Sequence, residues 1–356
     1  MPLIVIPTFN RSAKLKRVLE WYRSENLQAR IVVLDASDQP VHQEANLQSV
    51  ASCASFASRI DAVGQNSIVK RLSTYLERVD DEIVAIGNDE DAYLPEFLDQ
   101  AFAFLRDNPD YSLATGRYIT SARPLLGLRR VTYWTDTFLG MNIDDDDPAM
   151  RVINFQRLNS GGVPPLYWSV RRKSAFLESC RLASRLTFSS AHELIDQIAS
   201  CVLGKVSISA QPMLLRDESK VKYEGFRNRD TGRLYIGEPD LDEIERIAKE
   251  KWSHDTSVTV RAVTSWYRPR PGGESYLSRQ GSRAYCRLHG VAAASGVRSL
   301  RILHRAMRWS CTSGVILSQV FAYLYYYRYM LHVGRGRRFL RMTRAIAVHS
   351  AGTASG

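Results

Sequence analysis

Short apolar β-branched runs alternate with amphipathic stretches along the first part of the chain. "LIVI", residues 3 to 6, stops at Pro7, and "RSAKLKRVLEWYRSEN" then sets Leu15, Val18, Leu19 and Tyr22 at helical spacing. The same alternation returns with "ARIVVLDAS" as a strand and "NSIVKRLSTYLERV" as a helix whose Ile68, Leu72, Tyr75 and Leu76 share a face. It returns again with "DEIVAIGN" and "LPEFLDQAFAFLRDNP", the latter helix ending at Asn108 and Pro109. Strands that are apolar throughout are buried on both faces, so this order predicts an α/β fold with a mainly parallel sheet between helices.

"YSLATGRYI" predicts a further strand, after which residues 121 to 162 lose regularity and include "NIDDDDP". A Gly/Pro-rich "SGGVPP" leads into a strand "LYWSV" and a helix "RKSAFLESCRLA". A second helix "AHELIDQIASCVL" with Gly204 as its C-cap, a strand "KVSISAQPMLLR" and a charged helix "DLDEIERIAKEKW" complete the pattern. No internal repeat is evident. A chain of 356 residues is too long for one small core, and suggests one large domain with an appendage or two domains.

Charge divides the chain. The total is +11, yet beyond Asp255 there are sixteen Arg, no Lys and one acidic residue, Glu274. The first 255 residues are therefore mildly acidic and residues 256 to 356 strongly basic. Five widely spaced Cys without a C-x-x-C pair argue against a metal cluster or a disulfide framework and fit a reducing compartment. "MPLIVIPTFN" lacks a basic n-region and a long apolar run, so the expected location is the cytosol. Residues 310 to 331 have about the length of a membrane span, but Gln319 and Arg328 interrupt them. Apolar and aromatic faces beside clustered Arg favour a helical region lying on an anionic inner membrane face. A soluble subdomain or oligomer contact is the alternative, and no nucleic-acid-binding motif accompanies the charge.

Ligands of open α/β sheets sit outside the carboxyl ends of the strands, so the residues just after each strand matter most. They are Pro7, Thr8, Phe9, Asn10 and Arg11 after the first; Asp35, Ala36, Ser37 and Asp38 after the second; and Asn88, Asp89, Glu90 and Asp91 after the third major one. Turn-forming Asp, Asn and Ser explain any one of these groups, but explain their joint recurrence less well. Taken alone, "AIGNDEDAYLPEF" fits two readings: an acidic start to a helix with Pro95 behind it, or carboxylates placed for a cation and a phosphate.

"IVIPTFNRSAKLKRVLEWY", "IVVLDASD", "VKRLSTYLERVDDEIVAIGNDEDAYLPEFLDQAFAFLRDNPDYSLATGRY" and "LYWSVRRK" together resemble family 2 glycosyltransferases of the GT-A fold, in the bacterial branch with a D-D-D-[FY]-type motif. The resemblance covers roughly residues 3 to 220 with gaps and stops short of the Arg-rich region. It implies a GT-A domain over 1–255, with a nucleotide-sugar half at 1–118 and an acceptor half at 119–255, followed by the basic helical region at 256–356. It also implies a metal-dependent, inverting hexosyltransferase that uses a nucleotide diphosphate sugar, a UDP-sugar first among them. The acceptor would be a glycan or a lipid-linked sugar in surface polysaccharide biosynthesis.

The same resemblance assigns roles. Pro7, Thr8, Asn10 and Arg11 would line the nucleotide, Asp35 and Ser37 would contact base and ribose, and Lys70 would face the nucleotide or diphosphate. Asn88 would join the nucleotide-sugar contacts, and Asp89 and Asp91 would form the D-x-D pair. Asp91 would sit on Mn²⁺ or Mg²⁺, with Asp89 directed toward the ribose or a metal-bound water. Glu90 stands where the family usually has aspartate, which leaves D-x-D intact. Such a cation neutralises the charge that develops on the leaving diphosphate, and one or two carboxylates suffice to hold it.

An inverting transfer also needs a base across the sugar from the diphosphate. In "SSAHELIDQ" that base would be Glu193, in the first helical turn, with Asp196 in reserve and His192 behind it; the bland alternative is an S-x-x-E capping box from Ser190 to Glu193. "DDDD" at 144 to 147 reads as a solvated loop. Arg171, Arg172 and Lys173 read either as contacts to an anion or as a solvated basic cluster. Arg216 is a further residue that could close over phosphates. Two other functions fit the fold, a catalytically inactive nucleotide-binding module and a sugar-phosphate nucleotidyltransferase. The second calls for glycines after the first strand that "PTFNRSAK" lacks.

Overall fold

A computed structural model describes residues 1–268, apart from 66, 126–127, 134–141, 161–165, 188 and 218–235. Residues 269–356, including the 310–331 stretch and most of the basic region, lie outside the described residues. The strands are β1 (Leu3–Thr8), β2 (Arg30–Asp35), β3 (Ala57–Asp61), β4 (Ile83–Ile86), β5 (Asp91–Tyr93), β6 (Tyr111–Leu125), β7 (Leu128–Tyr133), β8 (Val170–Arg172) and β9 (Lys205–Asp217). The helices are α1 (Ser12–Ser24), α2 (Pro40–Ala51), α3 (Ile68–Leu76), α4 (Pro95–Asp107), α5 (Pro148–Ser160), α6 (Lys173–Ala183), α7 (Ser189–Leu203), α8 (Glu238–Lys251) and α9 (His254–Tyr267).

One mixed sheet runs in the order β3-β2-β1-β4-β8-β6-β9-β5, with β7 paired to β6. The pairs β2–β3, β1–β2, β1–β4 and β6–β9 are parallel, whereas β8 runs antiparallel to both β4 and β6 and so joins the two halves. The two-residue period of β1 builds both faces of the sheet. Leu3 and Val5 join Val84, Ile86, Leu72, Leu76, Phe176 and Ile195 in one core layer. Ile4 and Ile6 join Leu15, Leu19, Tyr22, Phe97 and Leu98 in the other. Helices α3, α6 and α7 thus cover one face, and α1 and α4 the opposite one.

Several elements differ from the sequence-based expectations. Between β2 and α3, where no element was assigned, α2 and β3 form. α2 buries only Asn46, Ser49 and Val50, and β3 is a mostly exposed edge strand, so neither carries a strong apolar period. The strand expected at "LYWSV" falls instead on Val170–Arg172. Gly204 does follow α7 directly, at the expected C-cap position, but without a left-handed φ and in a close-packed place: a Cβ there would lie 2.8 Å from the Ser112 backbone nitrogen and 3.0 Å from the Asp110 carbonyl oxygen. The charged loop before α5 is pinned by Arg151, which donates to the carbonyl oxygens of Asp145, Asp146, Cys201 and Val202. The first residues of the expected basic region form α9, which buries Val260 and Val263 in the core. Among the described residues no helix is long and apolar enough to cross a membrane.

Candidate active site

The chain leaves β1 through Thr8 and turns at Asn10, whose φ of 51° lies in the left-handed region that asparagine tolerates better than most residues. The turn is tied to the end of β2. Asn10 donates its backbone N–H to Ser37 Oγ at 2.9 Å and its side-chain amide to Asp38 at 2.7 Å, and its Oδ1 accepts the Asp38 N–H at 3.2 Å. Asp35, the last residue of β2, is fully buried and accepts from the Ser37 backbone at 3.0 Å and from Arg59 Nε at 2.8 Å. Burial opposes its charge, but hydrogen bonds from Ser37, Arg59 and Asn46 together outweigh that and hold its carboxyl below the usual carboxylate range.

The acidic turn is built by Asn88. Its Oδ1 accepts the backbone N–H groups of Glu90 at 2.8 Å and Asp91 at 2.7 Å, and its amide donates to Asp91 Oδ2 at 2.7 Å. This side chain folds the loop onto itself, a local alternative to strand pairing. Asp91 then opens β5, antiparallel to β9 and in register with Arg216, instead of ending the preceding strand. The Arg216 side chain lies outside the described residues. Asp89 reaches back to the first strand: Thr8 Oγ1 donates to it at 2.8 Å and Arg11 NH1 at 3.3 Å, contacts between segments about eighty residues apart. Burial pushes the Asp89 carboxyl up, and the Thr8 and Arg11 contacts only partly offset this.

Pro7, Thr8, Asn10, Arg11, Asp35, Ser37, Asn88, Asp89 and Asp91 therefore meet at one sheet edge, as the ends of β1, β2 and β4 dictate. Lys70 is exposed on α3. Its neighbour Arg71 reaches the end of β1. It is buried, donates NH1 to the Thr8 carbonyl oxygen at 2.9 Å, and is lowered from its ordinary pKa by burial against the opposing pull of Asp89 and Asp35. Only the polar "VKRL" window pointed to this helix; its phase against the β1 end is a tertiary fact.

The candidate base region lies on the face covered by α3, α6 and α7. α7 is already helical at Ser189, so Glu193 stands in the second turn, past the N3 position of a Ser190 capping box. Asp196, the reserve candidate for the base, lies in the interior beside Arg171. It is almost fully buried and accepts Arg171 NH1 at 2.8 Å and also the Ser179 hydroxyl, both on Oδ1. His192 shares a hydrogen bond with the Leu186 carbonyl oxygen at 3.0 Å. Arg171, Arg172 and Lys173 fit neither expected reading. Arg171 is buried over the Phe176 ring, Arg172 donates to the carbonyl oxygens of Leu105, Asn108 and Tyr111, and Lys173 donates to that of Val79. Tyr167 is buried, its hydroxyl has no hydrogen-bond partner among the described residues, and burial pushes its pKa well above the ordinary phenol range.

Among the described residues no group of three or more His, Cys, Asp or Glu side chains converges. Asp89 and Asp91 supply oxygen donors only. That set suits a hard cation that draws its remaining ligands from phosphate and water, so the residues present fit Mg²⁺ or Mn²⁺ bound together with a diphosphate.

No protein-family model matches the chain, and no curated protein matches it. Among solved structures it is similar to the S. aureus TarS fragment 1-349 in complex with UDP-GlcNAc, at 14% identity over 92% of each chain with a TM-score of 0.49. It is also similar to S. aureus TarS itself, at 12% identity and a TM-score of 0.47 over 89% of this chain and 54% of that one; the chain thus spans about half of that relative. A third is the mannosyltransferase PcManGT from Pyrobaculum calidifontis in complex with GDP-Man and Mn²⁺, at 12% identity over 89% and 85% of the two chains and a TM-score of 0.44. At such identities and scores, the chemistry of the site rests on this chain's own residues.

Proposed function

We propose that this chain is a glycosyltransferase that takes a sugar from a nucleotide diphosphate sugar, with inversion and with a divalent cation. One observation carries the proposal: the Thr8–Asp89 hydrogen bond at 2.8 Å, which brings the acidic turn against the polar end of β1, beside the Asn10–Ser37 link to β2. Donors and acceptors from three strand ends meet where an α/β sheet binds its ligand. Asp35, prearranged by Ser37 and Arg59, accepts hydrogen bonds from the base or ribose, as Thr8, Asn10 and Ser37 line the nucleotide. Arg71 and Arg11 add positive charge near the diphosphate. Asp89 and Asp91 hold the cation, which when bound supplies the charge neutralisation that diphosphate departure needs.

Glu193 accepts the acceptor hydroxyl's proton as the new glycosidic bond forms, from the α7 face rather than from the strand ends. The donor is a UDP-sugar first, and the acceptor is a glycan or lipid-linked sugar in polysaccharide assembly. The basic region keeps the enzyme at an anionic inner membrane face. The direct test is a panel of UDP-, GDP- and dTDP-sugars, measured for binding and for sugar transfer with and without Mn²⁺. Cation-dependent binding of at least one donor is expected, with transfer lost in Glu193→Gln while donor binding persists. Donor binding indifferent to Mn²⁺ would refute the cation role of Asp89 and Asp91.

A further inference from the structure

The acidic turn already has two cations of its own. Arg11 NH1 lies 3.3 Å from Asp89 Oδ1 and 3.7 Å from Glu90 Oε2, and the Lys14 ammonium is bonded to the same Glu90 oxygen. Both side chains rise from the start of α1, immediately after the Asn10 turn that fixes the end of β1 to β2. Glu90 is thereby held toward α1, with one Arg11 nitrogen in contact with both it and Asp89. Asp89 is almost fully buried and Glu90 mostly so, whereas Arg11 is half exposed at 51% and Lys14 less so at 30%. Arg11 is thus the partner with room to move against a buried Asp89, while Lys14 and Glu90 are covered to a similar degree. A guanidinium and an ammonium are also the side chains that bind phosphate oxygens best.

We propose that Arg11 and Lys14 form an internal cation pair that neutralises the acidic turn of the unliganded protein, opposes entry of a bare divalent cation, and couples its binding to arrival of a nucleotide diphosphate. Phosphate oxygens offer both side chains a replacement anion. As Arg11 swings from Asp89 to the diphosphate, the Asp89 oxygen it held becomes available to the cation. Both ligands therefore favour the same rearranged state, and each raises the affinity of the other by the same factor. No covalent step is involved. The inference rests on the nucleotide-sugar reading of the same site and adds to it the order in which its charges are exchanged.

The test is calorimetric titration of the full chain with MnCl₂, alone and in the presence of saturating UDP. The proteins compared are wild type, Arg11→Gln, Lys14→Gln and the double variant, with unfolding midpoints confirming that each is folded. The double variant should bind Mn²⁺ alone more tightly than wild type by about tenfold, within the usual range of coupling between two sites. Its gain in Mn²⁺ affinity on adding UDP should shrink correspondingly, and each single variant should move the same way by a smaller factor. Arg11→Lys, which keeps the charge, should stay near wild type for Mn²⁺ alone. Equal or weaker Mn²⁺ binding in the double variant, with UDP binding still cation-dependent, overturns the cation-pair proposal and leaves the glycosyltransferase reading standing. Absence of Mn²⁺ binding to wild type and variants alike, with UDP, GDP or dTDP present, overturns both.

Discussion

Two buried carboxylates, at the end of β2 and just beyond β4, the strands that flank β1, experience opposite fields. Asp35 is surrounded by donors that favour its charge, so its folded pKa lies below the unfolded value. The stability it contributes is fully present above the unfolded pKa and disappears as pH falls through the folded one. Asp35→Asn should lower stability at pH 7 by about 1–3 kcal/mol and flatten the acid limb of a urea-midpoint profile measured from pH 7 down to pH 3. For Asp89 the sign reverses. Burial raises its pKa, so its charge weighs on the unliganded fold above that pKa and is relieved as pH drops. Asp89→Asn should therefore raise the neutral-pH melting temperature while removing Mn²⁺-dependent UDP binding; a lowered melting temperature would show that Thr8 and Arg11 compensate the charge fully. The types and approximate places of these residues were legible in the sequence, because Asp and Asn after apolar runs mark strand ends. The contact of Arg71 with the β1 end was not, because it depends on which side of α3 meets the carbonyl of Thr8.

At the scale of elements, amphipathic helices α1, α4, α6 and α7 follow from their apolar periods, whereas α2 and β3 do not, since little of their surface repeats an apolar pattern. Buried charge explains another mismatch. A run of three basic residues suggests solvent, yet Arg171 bridges β8 to α7 through Asp196 and Ser200. Removing one side of a buried pair leaves the other uncompensated, so Arg171→Met should cost about 3–5 kcal/mol in urea unfolding. A companion Asp196→Leu change should restore much of that loss, and a double-mutant cycle measures the coupling. Close backbone approach gives a parallel expectation at Gly116. A Cβ there would fall 2.8 Å from the Gln211 carbonyl oxygen and 2.8 Å from the Phe97 ring, between β6, β9 and α4. Gly116→Ala should destabilise by about 1–3 kcal/mol, as overpacking does, with a lowered urea midpoint as the readout.

For the molecule as a whole, the charge asymmetry and the packed core set different boundaries. Positive charge begins beyond Asp255, but α9 carries Val260 and Val263 into the same core layer as α5, α7 and α8. A truncation that keeps residues 1–268 should therefore fold, whereas one ending at 255 should expose that layer and lose cooperative unfolding. If the basic region holds the protein at an anionic surface, the full chain should sediment with vesicles of anionic phospholipid at low salt. The 1–268 form should not, and the difference should fade as salt screens the charge. Equal sedimentation of both forms would place the contact elsewhere.

The linear order of residues by itself determined the alternation of buried strands and amphipathic helices, the polar strand ends and the segregation of positive charge, because each is a local pattern of side-chain chemistry. Only the tertiary structure decided that Asp89 answers to Thr8 and Arg11, that Asp196 pairs with Arg171, and that Glu90 is held by Lys14. Those pairings join segments far apart in sequence. Strand order and helix phase, which no local period encodes, set which opposite charges meet.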